Sequence, residues 1–356
     1  MKKQGKVQSL IFSALCLLGM TVQSSAATTI PYKPYVDVAL SSITQWDPAS
    51  QSMQPLGLLP LLKNPGLKAL RLSFITSDGG QCAGTWAGYP VSEDPEQGFG
   101  MPVFKKLREQ GAHLSIALGG LNGEYLSQAC KSTVDLQSVY EEIVRIYKPT
   151  SLDFDLENNI QTNNAQLDRL MQAIQGVKNN YTDLKISFTL PVLPTGLVEN
   201  LGLNVLKRAE INGLSDYAVN IMAMDYGDYF GSAMGENAIK AATNTFKQLK
   251  ALYPDQSDAT LWSRIEVTPM IGLNDTSNDQ VPQNFALPGD VKLLKAFAAA
   301  NKINGLSAWS ITRDHSCNDK WVSTDCSSQN PMTKKPNQAK DFEYSKYFMS
   351  PVSRAM

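Results

Sequence analysis

Apolar residues recur along the chain in short runs, separated by longer stretches with helical spacing. The runs are Tyr35 to Leu40, Ala69 to Ile75, His113 to Leu118, Ser151 to Glu157, Lys185 to Leu190, Tyr217 to Met224, Ile265 to Ile271 and Leu306 to Ile311. Their length suits strands. Between most of them the apolar positions repeat with a helical period, as in Leu136, Val139, Ile143 and Ile146, or Leu167, Leu170, Met171 and Ile174. Phe104 to Arg108 and Val291 to Ala299 are shorter cases. Strands alternating with helices predict a parallel sheet. Eight such units predict an α/β fold, a single (β/α)8 barrel over residues 27–356. An open doubly wound sheet is the alternative, but no strand is followed by a dinucleotide-binding glycine fingerprint. The glycines of Gly119-Gly120-Leu121-Asn122-Gly123 have the wrong spacing for one and read as a tight turn.

One run departs from simple apolarity. In Ser151-Leu152-Asp153-Phe154-Asp155-Leu156-Glu157 apolar and acidic residues alternate with period two. Leu152, Phe154 and Leu156 share one face of a strand, and Asp153, Asp155 and Glu157 share the other. Successive acids on that face are about 6.6 Å apart. Packing does not call for three mutually repelling carboxylates, so the strand is read as carrying them to a site. Neighbouring carboxylates push each other's pKa values apart, which lets one stay protonated while another is ionised. Glu157, last in line at the strand's carboxyl end, is the expected acid.

Lys2, Lys3 and Lys6, the apolar run Leu10 to Met20 and the small residues Ser24-Ser25-Ala26 predict a secretory signal peptide over residues 1–26. The run is too short to span a membrane, and no second long one follows, so no membrane association is expected. Cleavage removes three of the 32 basic residues and none of the 33 acidic ones, leaving a charge of 29 − 33 = −4. Without a basic stripe, nucleic acid is not an expected partner. Cys16 leaves with the signal, and Cys82, Cys130, Cys317 and Cys326 remain. An even number in an exported chain predicts disulfides. Of the three possible pairings, Cys82–Cys130 and Cys317–Cys326 are preferred. Zinc is disfavoured, because the cysteines lack ligand spacing and histidines are few; no metal or other cofactor is expected. The protein is expected to be a monomer.

In a barrel of this type the site lies at the carboxyl ends of the strands. Besides Glu157, that rim should receive Asp225 and Tyr226 from Met222-Ala223-Met224-Asp225-Tyr226-Gly227, and Trp309 from the last run. Trp46, Trp86, Tyr89, Tyr229 and Phe230 also follow strands and are candidate sugar-stacking aromatics, whereas Trp262 precedes one and is expected to be structural. The chain has no G-x-S-x-G elbow, almost no histidine and no P-loop, which argues against triad hydrolysis and nucleotide chemistry. Carboxylates in an aromatic-lined cleft point instead to glycosidic bonds.

On these residues the chain resembles the glycoside hydrolase family 18 chitinases, whose fourth strand carries D-x-x-D-x-D-x-E. Asp153, Asp155 and Glu157 match the last three acids, and Thr150 stands at the first position. Gly119-Gly120 matches a glycine pair after the third strand, with Ala117 where a serine is usual. Met222-Ala223-Met224-Asp225 matches M-x-Y-D, with Met224 in place of the tyrosine and Tyr226 close by. The segments MAMDYG, TPMIGLND and AWSITRD resemble a secreted bacterial branch called chitinase D-like, and the likeness extends from about Tyr35 to Cys326. The resemblance implies an endo-acting, substrate-assisted retaining mechanism on β-1,4-linked N-acetylglucosamine, with the sugar's acetamido oxygen as nucleophile. It implies Glu157 as acid and base, Asp155 on the acetamido nitrogen, Asp153 hydrogen-bonded to Asp155, and Asp225, Tyr226, Met224, Trp309 and Gly120 around the substrate. An endo-β-N-acetylglucosaminidase acting on N-glycans and a non-catalytic chitin-binding protein are the alternatives.

Overall fold

Each of the eight runs forms a strand in the computed structural model, which describes Met1 and residues 30–40, 45–47, 52–54, 63, 66–92, 101–275 and 280–352. They are β1 (Tyr35–Asp37), β2 (Ala69–Asp78), β3 (His113–Gly119), β4 (Ser151–Asp155), β5 (Lys185–Leu193), β6 (Ala218–Ala223), β7 (Ile265–Pro269) and β8 (Gly305–Leu306). Every neighbouring pair from β1 to β8 is parallel. The ring closes where Tyr32 bridges Leu306 in parallel, and the amides of Lys33 and Tyr35 donate to the carbonyls of Leu306 and Ala308 at 3.0 Å each. Apart from Met1, the expected signal peptide falls on residues outside those described.

Alternation sorts the side chains of these strands. In β4 and just beyond it, Leu152, Phe154 and Leu156 are buried toward the helices, where Phe154 meets Tyr140 and Phe188 edge-on or tilted at 5.2 and 6.0 Å. Outward residues of β5, β6 and β7 repeat this with Ile186 and Phe188, Val219 and Ile221, and Ile265 and Val267. The helices supply the matching apolar stripes: α1 (Met101–Glu109), α2 (Thr133–Tyr147), α3 (Asn164–Asn180), α4 (Gly202–Ile211), α5 (Met234–Leu252), α6 (Gly289–Asn301) and α7 (Glu343–Met349). Leu136, Val139, Ile143 and Ile146 of α2 and Leu167, Leu170, Met171 and Ile174 of α3 are all buried, as their spacing predicts. Burying each such side chain contributes about 1.5–3 kcal/mol. Helix α2 begins at Ser132, whose hydroxyl accepts from the Asp135 amide at 3.0 Å. It ends at Lys148, left-handed at φ 46°, with Pro149 preventing continuation. That stop sets where the acidic strand starts.

Two strand ends differ from the apolar runs for identifiable reasons. The β4 ladder stops at Asp155 because the Glu157 amide leaves the sheet and donates to the Tyr125 hydroxyl at 2.7 Å. The β8 ladder is short because Pro269 has no N–H to donate toward Ser307. The flanking bonds, Ser307 to Val267 and Trp309 to Pro269, are both 2.9 Å.

Both preferred disulfides form. Cys82–Cys130 ties the hairpin strand Gln81–Trp86 to the short helix Leu126–Ala129 that follows β3, and Cys317–Cys326 closes a loop after β8. Trp262 is structural, stacked on Phe246 at 4.1 Å. Trp86 corrects an expectation. The hairpin turns it back into the core against Phe104 and Tyr147, where it is fully buried. Among the described residues no helix is long and apolar enough to cross a membrane.

Candidate active site

The inward faces of the strands are polar. Register places Ala117, Asp153 and Ser187 side by side on β3, β4 and β5, and Gly119, Asp155 and Thr189 one layer higher. Asn220 on β6 and Glu266 on β7 continue the inner face. A cavity of about 700 Å³ opens above this layer at the carboxyl ends of the strands. Asp155, Glu157, Met224, Asp225 and Trp309 line it, together with Tyr35, Asp37, Phe74, Met222, Met270 and Asp275. The sequence thus brings five expected residues into one cleft. Three others lie elsewhere: Asp153 is beneath it, and Gly120 and Tyr226 stand behind its walls.

Asp153 is wholly buried and fully engaged. It accepts from Tyr35 at 2.7 Å, from Thr189 at 2.9 and 3.0 Å, and from Ser187. The Arg71 Nε lies 3.6 Å from its Oδ2. None of its hydrogen bonds goes to Asp155, contrary to what the resemblance implied. The small neighbours Ala117 and Ser187 leave room for this cluster.

Asp155 is also buried, yet its Oδ1 has no hydrogen-bond partner among the described residues. Burial, then the nearby charges of Glu157 and Asp153, push its pKa well above the carboxylate range, and Arg71 opposes them. Glu157 is pushed up to about 7 by burial. The Tyr125 phenol holds the Glu157 backbone. It accepts the Glu157 amide and faces the carbonyls of Gly120 and Glu157 at 3.0 and 3.2 Å.

The glycine pair is explained by crowding. Gly119 and Gly120 have φ of +102° and +86°, where L residues are strained. A Cβ on Gly119 would strike the Asp155 carbonyl and the Tyr125 ring, and one on Gly120 would press on the Phe74 ring at 3.2 Å. Gly120 therefore supports the site through Phe74 and through its amide, which donates to the Asp155 carbonyl at 3.0 Å.

Trp309 packs on Phe74 at 5.7 Å with 27° between planes, and its edge meets Tyr35 at 5.7 Å. These rings form an aromatic floor beside the two carboxylates. Tyr226 faces away. Its ring is buried, its hydroxyl has no partner among the described residues, and its amide donates to Gln283 at 2.8 Å. Unlike Met224, it is not among the residues that line the cavity. Asp225 reaches the cleft from a left-handed backbone at φ 51°. Tyr89, Tyr229 and Phe230 are not on the cavity wall, and the Trp46 side chain lies outside the described residues.

Spacing along the chain did not reveal Tyr35, Arg71, Tyr125 or Glu266. A weaker signal was present: Ser187 and Thr189, Asn220, and Glu266 and Thr268 interrupt or alternate with apolar residues within their runs. That alternation marks inward polar positions. Arg71 donates through Nη2 to Glu266 at 2.5 Å, and Glu266 also receives Lys33 at 3.3 Å and Asn304 at 2.7 Å. Although burial acts the other way, Lys33 and Arg71 hold Glu266 down at about 2.

No family model matches the chain. It is 32% identical over 296 residues to the "Probable bifunctional chitinase/lysozyme" of Escherichia coli (strain K12), covering 80% of this chain and 31% of that protein. It is equally similar, 32% over 296 residues, to "Endochitinase 11" of Metarhizium anisopliae, with 80% and 52% covered. The chain thus spans about a third and about half of the curated relatives it matches. Among solved structures, the catalytic domain of a hyperthermophilic chitinase from Pyrococcus furiosus superposes with a TM-score of 0.74 at 31% identity, covering 93% of this chain and 99% of that one. Identity at that level over a whole catalytic domain, together with the acidic strand at the barrel mouth, shows that the chain belongs to the family 18 chitinases.

Proposed function

We propose that the protein is a secreted, endo-acting chitinase of the chitinase D-like branch, cleaving β-1,4 bonds between N-acetylglucosamine units. The observation that carries this reading is the Asp155–Glu157 pair beside an aromatic floor, with Glu157 pushed up to about 7. A glutamate that keeps its proton near neutrality can protonate a leaving oxygen and then, once ionised, activate water. Asp155 lies next to it on the same face of the chain, buried and with an acceptor oxygen that has no partner among the described residues, suited to the acetamido N–H and to the positive charge of an oxazolinium ion. The acetamido oxygen itself attacks the anomeric carbon while Glu157 releases its proton to the departing sugar. Water then opens the ring with Glu157 as base, which retains configuration. Asp153 is assigned as an anchor for this strand, since its oxygens are taken by Tyr35, Thr189 and Ser187. Trp309 would stack on the sugar at the cleaved bond.

Three further facts support parts of the reading. A Pyrococcus furiosus relative at 32% identity has been crystallised with chito-oligosaccharides. Two disulfides suit an oxidising, extracellular setting. The cavity is large enough for an oligosaccharide segment.

The test compares products from acetylated chitin oligomers, fully deacetylated oligomers and a high-mannose glycoprotein by mass spectrometry. Internal cleavage of the acetylated oligomers alone is expected. Efficient cleavage of the deacetylated oligomers would reject substrate assistance, and release of the glycan would move the assignment to an endo-β-N-acetylglucosaminidase.

A further inference from the structure

Beneath the mouth, four charged side chains run across the lumen in alternating sign: Lys33, Glu266, Arg71 and Asp153. Two cations and two anions sum to zero. Arg71 on β2 is completely buried, with Glu266 at 2.5 Å on one side and Asp153 at 3.6 Å on the other. Its Nε and Nη1 have no hydrogen-bond partner among the described residues. It also lies over the Tyr35 ring at 4.9 Å, and Tyr35 donates to Asp153. Glu266 is in turn divided between Arg71, Lys33 and Asn304. A buried pair built for stability alone would satisfy its donors. Here the guanidinium is incompletely answered and sits one layer below Asp155.

We propose that Arg71 and Glu266 are positioning residues for the reaction: together they set how much positive charge the Asp155–Glu157 pair feels, and so the pH range in which that pair holds one proton. The proposal rests on the reading of Glu157 as the acid and Asp155 as the partner with which it shares one proton. Other charged or titratable groups face the pair. They are Asp153 on the same strand, Tyr35 and Asp37 on β1, Tyr125 after β3, Asp225 after β6 and Asp275 after β7. Among the described residues, Arg71 is the charge that favours the ionised form of Asp155. Lys33 is paired with Glu266 at 3.3 Å.

The signs are opposite for the two partners. Glu266→Gln removes one negative charge from a neutral set. The excess positive charge eases proton loss from the pair, so both limbs of the activity–pH profile move to lower pH. Arg71→Met leaves an excess negative charge, and both limbs move to higher pH. A change of one buried unit charge within this range shifts each limb by about 0.5–1 pH unit. Arg71→Lys keeps the charge and should leave the limbs in place. The double variant Arg71→Met/Glu266→Gln restores the balance and should return them.

The experiment measures kcat/KM against pH on an acetylated chitooligosaccharide for the native protein, these four variants and Glu157→Gln. Limbs moving in opposite directions for Glu266→Gln and Arg71→Met support the proposal, because mere structural damage lowers the rate without opposing shifts. If Arg71→Met does not fold, the downward shift in Glu266→Gln and its cancellation in the double variant carry the same test. Limbs that stay fixed in Glu266→Gln, or move the same way in both single variants, overturn the inference while leaving the proposed function intact. Undiminished turnover by Glu157→Gln overturns the proposed function and this inference together.

Discussion

The floor and the mouth of the barrel lumen treat buried charge in opposite ways. At the floor, Glu266 has Arg71 and Lys33, Asp153 has Arg71 and three hydroxyls, and Glu266 is held down at about 2. At the mouth, Asp155 and Glu157 form no ion pair among the described residues, and both are held above their ordinary range by burial first. Both regions come from inward positions of parallel strands, so the backbone does not account for the difference. The partners do. Paired charges keep one protonation state, whereas the mouth pair, without a counter-charge among the described residues, is kept at a cost in folding energy and stays able to exchange a proton.

The largest expected effect breaks the mouth. Glu157→Gln should lower kcat by about 10²- to 10⁴-fold with the fold intact, as read by initial rates and circular dichroism. Asp155→Asn should cost a comparable factor in kcat and less in KM, since its proposed contact strengthens as charge develops.

Breaking the floor should instead show in stability. Arg71→Met strands the carboxylates of Asp153 and Glu266, and loss of one partner from a buried pair costs about 3–5 kcal/mol. Urea unfolding at pH 7 reads this directly. A loss below 1 kcal/mol would show that the floor charges are not bound to one another as the geometry indicates.

The two regions should also respond to pH with opposite sign. Glu157 has a folded pKa of about 7, above the ordinary glutamate value of 4.5. The folded state therefore binds more proton between these values, and the group's contribution is lost as pH rises through about 7. Glu157→Gln should gain stability over the native protein progressively above pH 4.5, reaching about 1–3 kcal/mol above pH 7. Glu266 runs the other way. Its folded value of about 2 lies below 4.5, so its contribution is present above pH 4.5 and lost on acidification toward pH 2. Melting temperatures of Glu157→Gln and Glu266→Gln across pH 3–8 should diverge from the native curve in opposite directions.

The smallest expected effect lies behind the wall. Tyr226 is buried, off the cavity wall, and its hydroxyl has no partner among the described residues. Tyr226→Phe should change kcat/KM by less than about twofold and stability by no more than about 1 kcal/mol. A tenfold rise in KM would return Tyr226 to the substrate site.

All eight barrel strands were legible as apolar runs, because an eight-stranded parallel barrel buries the outer face of every strand under helices. The acidic strand was legible for a related reason: three acids at period two contradict any packing role. Its partners were not. Tyr35 and Asp153 are 118 residues apart, and Arg71 and Glu266 are 195 apart, so barrel closure rather than spacing brings them together. Rim aromatics were misjudged where local geometry overrode position. Trp86 and Trp309 both follow strands, yet a hairpin folds Trp86 into the core while the short β8 delivers Trp309 to the cleft. Tyr125 lies in a loop whose sequence carries no period, and its contact with the Glu157 backbone appears only in three dimensions.

The central claim is that the mouth carboxylate Glu157 keeps its proton up to neutrality while the charges of the floor are paired. Carbon-13 NMR titration of glutamate-labelled protein tests it most directly, with the Glu157 signal assigned by its absence in Glu157→Gln. The account predicts that this carboxyl titrates near pH 7. Titration between pH 4 and 5, as for an ordinary solvated glutamate, would contradict it.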